Sequence, residues 1–361
     1  MKAARLTKVG KSFEIKDIPK PQIRKNDEKD DIQTIVKVKA CGICGTDLHQ
    51  LKGTAIVNNL PVTPGHEISG IVEEVGRAVK GGRMSTPTFK KGDRVVVNNV
   101  ISCGKCRPCL RGRMNFCRNS LMFGRDIDGG LAEYVKVPAR NLVRLPGNVT
   151  FTEGAIIGCA VVTAYHALTL GGIETGTSMV VWGAGGVGLS LINLARELSA
   201  AYPIITIDRR KQCLKMAEEL GADFTINAAK EDPIEQIREI TKGEGADLSY
   251  DTAGIKSIAS SGELQTLAGT ASGGQLIVIA TYGAPVKVEP HNELGIFEKK
   301  FTGSCGNLPH ELEYLVELIS GRKRLNLMKL ITQIINLEDV NDTLEKWRKG
   351  EELIVRPVVT F

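Results

Sequence analysis

The chain lacks the marks of several protein classes. Its N-terminus, MKAARLTKVGKSFEIK, has no apolar h-region, so no secretory signal is expected. No block of Lys and Arg with interleaved aromatics occurs, and 47 basic against 41 acidic residues leave a mild +6. Nucleic-acid binding is therefore not indicated. There is no internal repeat and no low-complexity tract. Two uncharged stretches, Gly154 to Ile173 and Thr175 to Ala195, raise a membrane question. Both are broken by Gly and by Thr, Ser or Asn, and neither is read as a membrane span. Nine Cys without a signal read as thiols or metal ligands rather than a disulfide framework, and a cytoplasmic protein is expected.

What is present is ordinary for a globular chain. The 361 residues suggest two domains or three, and 42% hydrophobic with 24% charged residues allow a core of normal size. The 39 glycines point to tight turns and close backbone approaches. In the first 150 residues, IVKVKA (35–40), ISGIVEEVG (68–76) and RVVVNNV (94–100) read as strands separated by Gly and Pro turns, a mainly β region. KNDEKDD (25–31) and GGRMSTPT (81–88) read as surface loops. From about 178 to 303 short apolar strands alternate with helical stretches: MVVW then a helix to about Leu198, IITI then a helix around 210–220, then DLSYD and QLIVIA. This alternation predicts an α/β, doubly wound parallel sheet. The tail predicts an amphipathic helix in LPHELEYLVELISG, a helix near 338–349 and a last strand in IVRPVVTF.

Gly183, Gly185 and Gly188 form G-x-G-x-x-G in GAGGVG, after an apolar strand and opening a helix, with Asp208 ending the next strand 20 residues past Gly188. That context is the dinucleotide fingerprint, against the alternative of a glycine-rich turn without a ligand. The glycines allow the turn, the approach of a pyrophosphate and close packing, while Gly186 and Val187 open the helix whose N–H groups face the phosphates. Asp208 would accept bonds from the ribose hydroxyls and repel a 2′-phosphate, favouring NAD over NADP; Arg209 and Arg210 could soften that preference.

Cys103, Cys106, Cys109 and Cys117 give C-x2-C-x2-C-x7-C, the spacing of a closed tetrahedral zinc site. An iron–sulfur cluster is the rival, but its bacterial run continues with x3-C-P, whereas here the gap is seven and Arg118 follows. Disulfides are the other alternative. Cys44, His66, Glu67 and Cys159 are also metal-type residues, but their spacing alone forces no site.

The motifs GICGTDLH (42–49), PGHEISGIVEEVG (64–76), KGDRV (91–95), the cysteine lobe, GCAVVTAYHAL (158–168), VVWGAGGVG (180–188) and GADF (221–224) resemble those of the zinc-dependent alcohol dehydrogenases of the medium-chain dehydrogenase/reductase family, from end to end. The resemblance implies a GroES-like, mainly β catalytic domain (1–164 and 304–361, with the structural-zinc lobe at about 98–120) and a Rossmann dinucleotide domain (165–303). It implies two Zn²⁺ per chain: a catalytic one on Cys44, His66 and Cys159, which Glu67 can approach, and a structural one on the four lobe cysteines. Asp47 would orient His66, Thr46 would take the substrate proton, His49 would pass it outward, and Arg356 would contact the cofactor pyrophosphate. Cys41, Cys213 and Cys305 are read as core residues, and His166, His291 and His310 as structural or solvated.

The implied activity is hydride transfer between an alcohol or carbonyl and NAD(H), with NADP open and a dimeric or tetrameric assembly expected. A polyol or sugar dehydrogenase is the alternative. Asn98 and Asn99 follow the KGDRV strand, where relatives often carry a bulky apolar wall; they would favour a hydroxylated substrate, or simply cap the strand. Two other readings are a zinc-stapled binding protein and a zinc-free quinone reductase. GAGGVG with Asp208 and the GHE motif argue against the first. The second would not need Cys44, His66 or Cys159.

Overall fold

The computed structural model describes residues 1–24, 28–81, 87–254, 264–281, 285–321 and 325–361. The chain separates into two compact units. Met1–Val162, Asn307–Lys323 and Ile331–Phe361 form the first; Thr163–Gly306 and Arg324–Leu330 form the second. The sequence reading placed 324–330 with the catalytic domain. The structure groups it with the second unit, because Leu327–Leu330 packs on helix Gly186–Leu198 and buries Leu327 and Leu330 there.

The first unit is built on a seven-stranded, mostly antiparallel sheet. Its path runs Ile331–Ile335, Arg356–Thr360, Gln33–Gly42, Glu67–Val75, Arg94–Val97, Leu142–Arg144, and Tyr134–Pro138 also pairs with Gln33–Gly42. Alternation along these strands turns Val36, Val38, Ile68, Val72, Val95 and Val97 into one buried cluster with Phe123 and Leu131. Strand Gln33–Gly42 pairs on both sides with strands that carry site residues: Gly42 opposes Glu67 on one edge and Val358 on the other. The RVVVNNV strand stops at Val97. Asn98 turns the chain by accepting Val100 N at 3.2 Å, and a separate short strand follows at Val100–Ile101.

The second unit is a six-stranded, all-parallel sheet in the order Phe224–Asn227, Ile204–Asp208, Met179–Trp182, Ala246–Asp251, Thr270–Val278, Lys300–Gly303. In chain order this is 3-2-1-4-5-6, the doubly wound arrangement predicted from the alternation, with its switch point beside strand Met179–Trp182. That strand is buried on both faces, which fits its unbroken apolar run. Helix Lys211–Leu220 buries Cys213, Leu214, Ala217 and Leu220, one stripe of a 3.6-residue repeat, and ends at Gly221 with φ +114°. The QLIVIA strand begins earlier than predicted, at Thr270, and ends at Val278.

Several expectations change. Of KNDEKDD, residues 25–27 lie outside the described residues, but Glu28–Asp31 is a helical turn rather than a loop. Asp30 within it is buried and accepts hydrogen bonds from Lys136 Nζ and Arg24 N, because burial in that turn requires the charge to be paired. Of GGRMSTPT, residues 82–86 lie outside the described residues. Cys41 and Cys213 are buried as expected, but Cys305 is exposed, since it follows the edge strand Lys300–Gly303 in a connecting segment. The stretch from Gly154 is less broken than its Gly and Thr suggested. Phe151–Gly171 runs as one helix long and apolar enough to cross a membrane by length and composition, and 67% of its apolar window is buried inside the fold. The second stretch splits into strand, turn and helix.

Candidate active site

Four separate segments of the first unit converge. Cys44 precedes helix Gly45–Lys52 in an extended conformation, and its N–H donates to Asp47 Oδ2 at 2.8 Å, the reciprocal half of a capping box. The other Asp47 oxygen accepts Gly65 N at 3.2 Å. One buried carboxylate thus ties the Cys44 segment to the segment carrying His66 and Glu67. Gly65 has φ +87°, and a Cβ there would lie 2.7 Å from Cys41 Sγ, so no other residue fits before His66 without displacement. Glu67 opens the strand Glu67–Val75. Cys159 sits in a π-helical turn, Ile157–Val161, within the long apolar helix, a widening of the kind often found at functional sites. Gly158 beside it leaves room for the strand end: its Cβ would meet the Val97 carbonyl at 3.0 Å.

The result is that ligand atoms of Cys44, His66, Glu67 and Cys159 all lie within 4.8 Å of one another. Two polar atoms of this cluster, His66 Nε2 and Glu67 Oε2, are buried with no hydrogen-bond partner among the described residues. Two thiols, an imidazole and a carboxylate, gathered in a water-poor site with two polar atoms left unpartnered, are the residue types that zinc takes as ligands. The titration behaviour reflects the crowding. The Cys44 thiol is pushed well below its ordinary range, chiefly by hydrogen bonding with Cys159 against the effect of burial, while the Cys159 thiol is driven well above it. Burial works against a charged His66, but the Cys44 thiolate beside it lifts the imidazole to about 9. Burial raises Glu67 to about 7, opposed by the Arg356 charge.

Arg356 is a residue whose setting sequence reasoning missed. Expected on the cofactor pyrophosphate, its guanidinium is buried in the first unit and donates from Nη1 to Glu67 Oε1 at 2.8 Å. No spacing in the sequence signals this, because the two residues are 289 apart. The backbone role of Asp47 did have a signal, an acid three residues after Cys44 at a helix start. Asp47 is fully buried, which raises its carboxyl, opposed by the charge of His66. Thr46 is half-buried and His49 exposed, one helical turn apart, and His49 Nδ1 is engaged with Thr54 Oγ1 at 2.8 Å.

Both Asn98 and Asn99 are buried. Asn98 serves the turn after Val97, whereas Asn99 Oδ1 has no hydrogen-bond partner among the described residues.

The second cluster is Cys103, Cys106, Cys109 and Cys117, whose sulfurs again lie within 4.8 Å of one another. Cys106 caps the short helix Arg107–Leu110, and Cys117 follows the 3-10 turn Met114–Phe116. Backbone N–H groups of Lys105 and Cys106 hold the Cys103 thiol down to about 6, while burial pushes Cys109 up to about 11. With no fifth His, Cys, Asp or Glu ligand in the group among the described residues, this arrangement fits a closed structural metal site.

In the second unit the glycine turn behaves as its spacing predicts. Gly183 has φ +99°, and a Cβ on Gly188 would lie 1.9 Å from the Gly183 carbonyl oxygen. Gly185, the residue before helix Gly186–Leu198, has nothing within 4 Å of where a Cβ would point, which leaves space for a phosphate at the helix start. A cavity of about 350 Å³ opens there, lined among others by Trp182, Gly185, Asp208, Arg209 and Thr252. Asp208 is not free in it. Its carboxylate accepts Ala184 N at 2.9 Å and pairs with the Arg210 guanidinium at 2.9 Å, and these contacts hold it below the usual range although burial alone would raise it.

Comparison with known proteins agrees with this geometry. Residues 30–147 match the alcohol dehydrogenase GroES-like domain, and residues 186–321 match the zinc-binding dehydrogenase family. An NAD-dependent alcohol dehydrogenase of Sulfurisphaera tokodaii is 32% identical, with 98% of this chain and 100% of that protein covered. An L-threonine 3-dehydrogenase of Bacillus subtilis is 32% identical over 93% of this chain and 92% of its own. Among solved structures, a zinc-binding dehydrogenase from Sinorhizobium meliloti bound to NADP superposes with a TM-score of 0.86 at 30% identity, covering 100% of this chain and 99% of that one. With the donor clusters and glycine turn in place, these similarities make the chain an oxidoreductase belonging to the zinc-dependent alcohol dehydrogenase family of the medium-chain dehydrogenases/reductases.

Proposed function

We propose that this enzyme oxidises a primary or secondary alcohol, or reduces the corresponding aldehyde or ketone, with NAD(H) as hydride partner. The observation that carries the reading is the convergence of Cys44, His66, Glu67 and Cys159 within 4.8 Å, with His66 Nε2 and Glu67 Oε2 left without partners. Cys44, His66 and Cys159 would hold the catalytic zinc and Cys103, Cys106, Cys109 and Cys117 the structural one. When bound, the catalytic ion supplies Lewis acidity, which makes a substrate hydroxyl acidic or a carbonyl electrophilic. Thr46 accepts the substrate proton, and His49, exposed at the next turn of the same helix, hands it to water. Asp47 keeps the two ligand-bearing segments in register through its bonds to Cys44 N and Gly65 N.

The turn Gly183, Gly185, Gly186, Val187 and Gly188 binds the pyrophosphate, and Asp208 with Arg209 selects the ribose end. The Asp208 carboxylate supports NAD, and its pairing with Arg210 supports some tolerance of NADP. Arg356 is proposed to act at the pyrophosphate as well as on Glu67.

A second reading, a polyhydroxylated or otherwise polar alcohol, is favoured by the buried, unpartnered Asn99 amide oxygen. A panel of simple alcohols, polyols, sugars and hydroxy amino acids, read by the absorbance of reduced nicotinamide with each cofactor, tests both. No turnover of any alcohol would sink the first reading, and simple alcohols outrunning all polyols would sink the second.

A homo-oligomer, dimer or tetramer, is supported by the last strand of the parallel sheet, Lys300–Gly303. Its outer edge is unpaired among the described residues, and Ile296, Phe297 and Phe301 nearby are 57%, 44% and 45% exposed. A cytoplasmic setting agrees with nine cysteines kept as thiols or ligands.

A further inference from the structure

We propose that the arginine-walled pocket on the four-cysteine lobe is a binding site for a small organic phosphate, separate from the dinucleotide turn. Residues 103–118 contain Lys105, Arg107, Arg111, Arg113 and Arg118 and no Asp or Glu, so they hold five of the charges behind the chain's net +6. Four thiolates around one divalent ion carry −4 + 2 = −2, which leaves 5 − 2 = +3 on the lobe beyond what its metal centre balances. Acidic side chains do not consume this surplus: among the described residues, none of the four arginines forms an ion pair.

Arg107, Arg111, Arg113 and Arg118, with Pro108 and Phe116, line one pocket of about 370 Å³. Its size falls at the lower end of small-ligand sites, roughly 300–1,000 Å³. Arg113 lies over the Phe116 ring at 4.7 Å, and Phe116 is 43% exposed. Like charges gathered around a concavity repel one another, and an anion placed among them relieves that repulsion. Planar guanidinium forks match the oxygens of a phosphate group in pairs, and the Phe116 ring and Pro108 offer an apolar wall to the organic part of an ester. The backbone that carries the arginines runs close to the sulfur cluster. The helix Arg107–Leu110 starts at Cys106, Gly112 turns the chain with φ +74°, and Met114–Phe116 leads into Cys117, so each arginine is within a few residues of a sulfur of the cluster.

The test uses the zinc-loaded enzyme saturated with NADH, so that the dinucleotide cavity is filled, and titrates phenyl phosphate and inorganic phosphate by calorimetry at low and high salt. One phenyl phosphate per chain is expected, at least tenfold tighter than inorganic phosphate and weakening as salt rises. Arg111→Gln with Arg113→Gln should weaken it at least tenfold, with zinc content and alcohol turnover unchanged. Phe116→Ser should erase the preference for the aromatic ester. Removing two exposed cations elsewhere, Lys8→Gln with Lys11→Gln, should change nothing. The proposal is overturned by the absence of saturable binding, by equal loss in the Lys8/Lys11 control, or by inorganic phosphate binding as well as the ester. Because turnover is read separately, failure here is distinct from failure of the dehydrogenase reading.

Discussion

The Glu67–Arg356 pair offers a quantitative test of how the catalytic cluster is held. The two side chains are 0% and 4% exposed and meet at 2.8 Å, so neither charge has water to fall back on. Removing one partner of a buried pair costs about 3–5 kcal/mol, because the other charge is left uncompensated. Arg356→Met should therefore destabilise the zinc-loaded protein by about 3–5 kcal/mol and lower the melting temperature by about 4–7 °C. Glu67→Gln should cost a similar amount, since it leaves the guanidinium facing a neutral amide. The double variant should fall short of the sum by about 2–3 kcal/mol, as expected for residues in direct contact. Urea unfolding of the parent, both singles and the double at one zinc concentration and one pH well above 7, where the Glu67 carboxyl is ionised, gives all four numbers. Additivity within about 0.5 kcal/mol, or a cost below about 1 kcal/mol for Arg356→Met, would show that the pair does not bear on the cluster's stability, and its proximity to Cys44 and Cys159 would need another explanation.

Three further outcomes are expected. Cys44→Ala or His66→Ala should abolish turnover while leaving the melting temperature close to that of the parent, whereas Cys103→Ala or Cys106→Ala should mainly lower it; zinc content per chain with both readouts separates the two classes, and identical phenotypes would refute the division into catalytic and structural sites. Asp208→Ala should weaken NAD more than NADP, moving the ratio of their Michaelis constants by about tenfold, the equivalent of about 1.4 kcal/mol; an unchanged ratio removes the role assigned to that carboxylate. Gly188→Ala places a Cβ 1.9 Å from the Gly183 carbonyl oxygen, so the turn must move; dinucleotide affinity, measured by quenching of protein fluorescence, should drop at least tenfold, and a parent-like value would show that the turn does not grip the phosphates.

What could be read along the chain was whatever is local. The G-x-G-x-x-G turn, the four-cysteine spacing and the strand–helix alternation each fit within about 30 contiguous residues or repeat regularly, so backbone geometry and side-chain periodicity act on them without reference to distant segments. The doubly wound order 3-2-1-4-5-6 and the lobe cluster appear where those patterns predict. The scattered donors were different. Spacing did not join Cys44, His66 and Cys159, and only resemblance to a family suggested that they meet.

The tertiary structure decided the rest, because it depends on which surfaces pack. Strand pairing put Gly42 opposite both Glu67 and Val358, and so brought Arg356 onto Glu67 across 289 residues. Burial turned Asp30 from part of a charge run into a buried carboxylate held by Lys136, and the sheet edge left Cys305 in solvent rather than in the core. A sequence states the local preference of each residue; whether a charge is buried, and what faces it, is set by the free energy of the whole packed chain, in which distant segments contribute as much as neighbours.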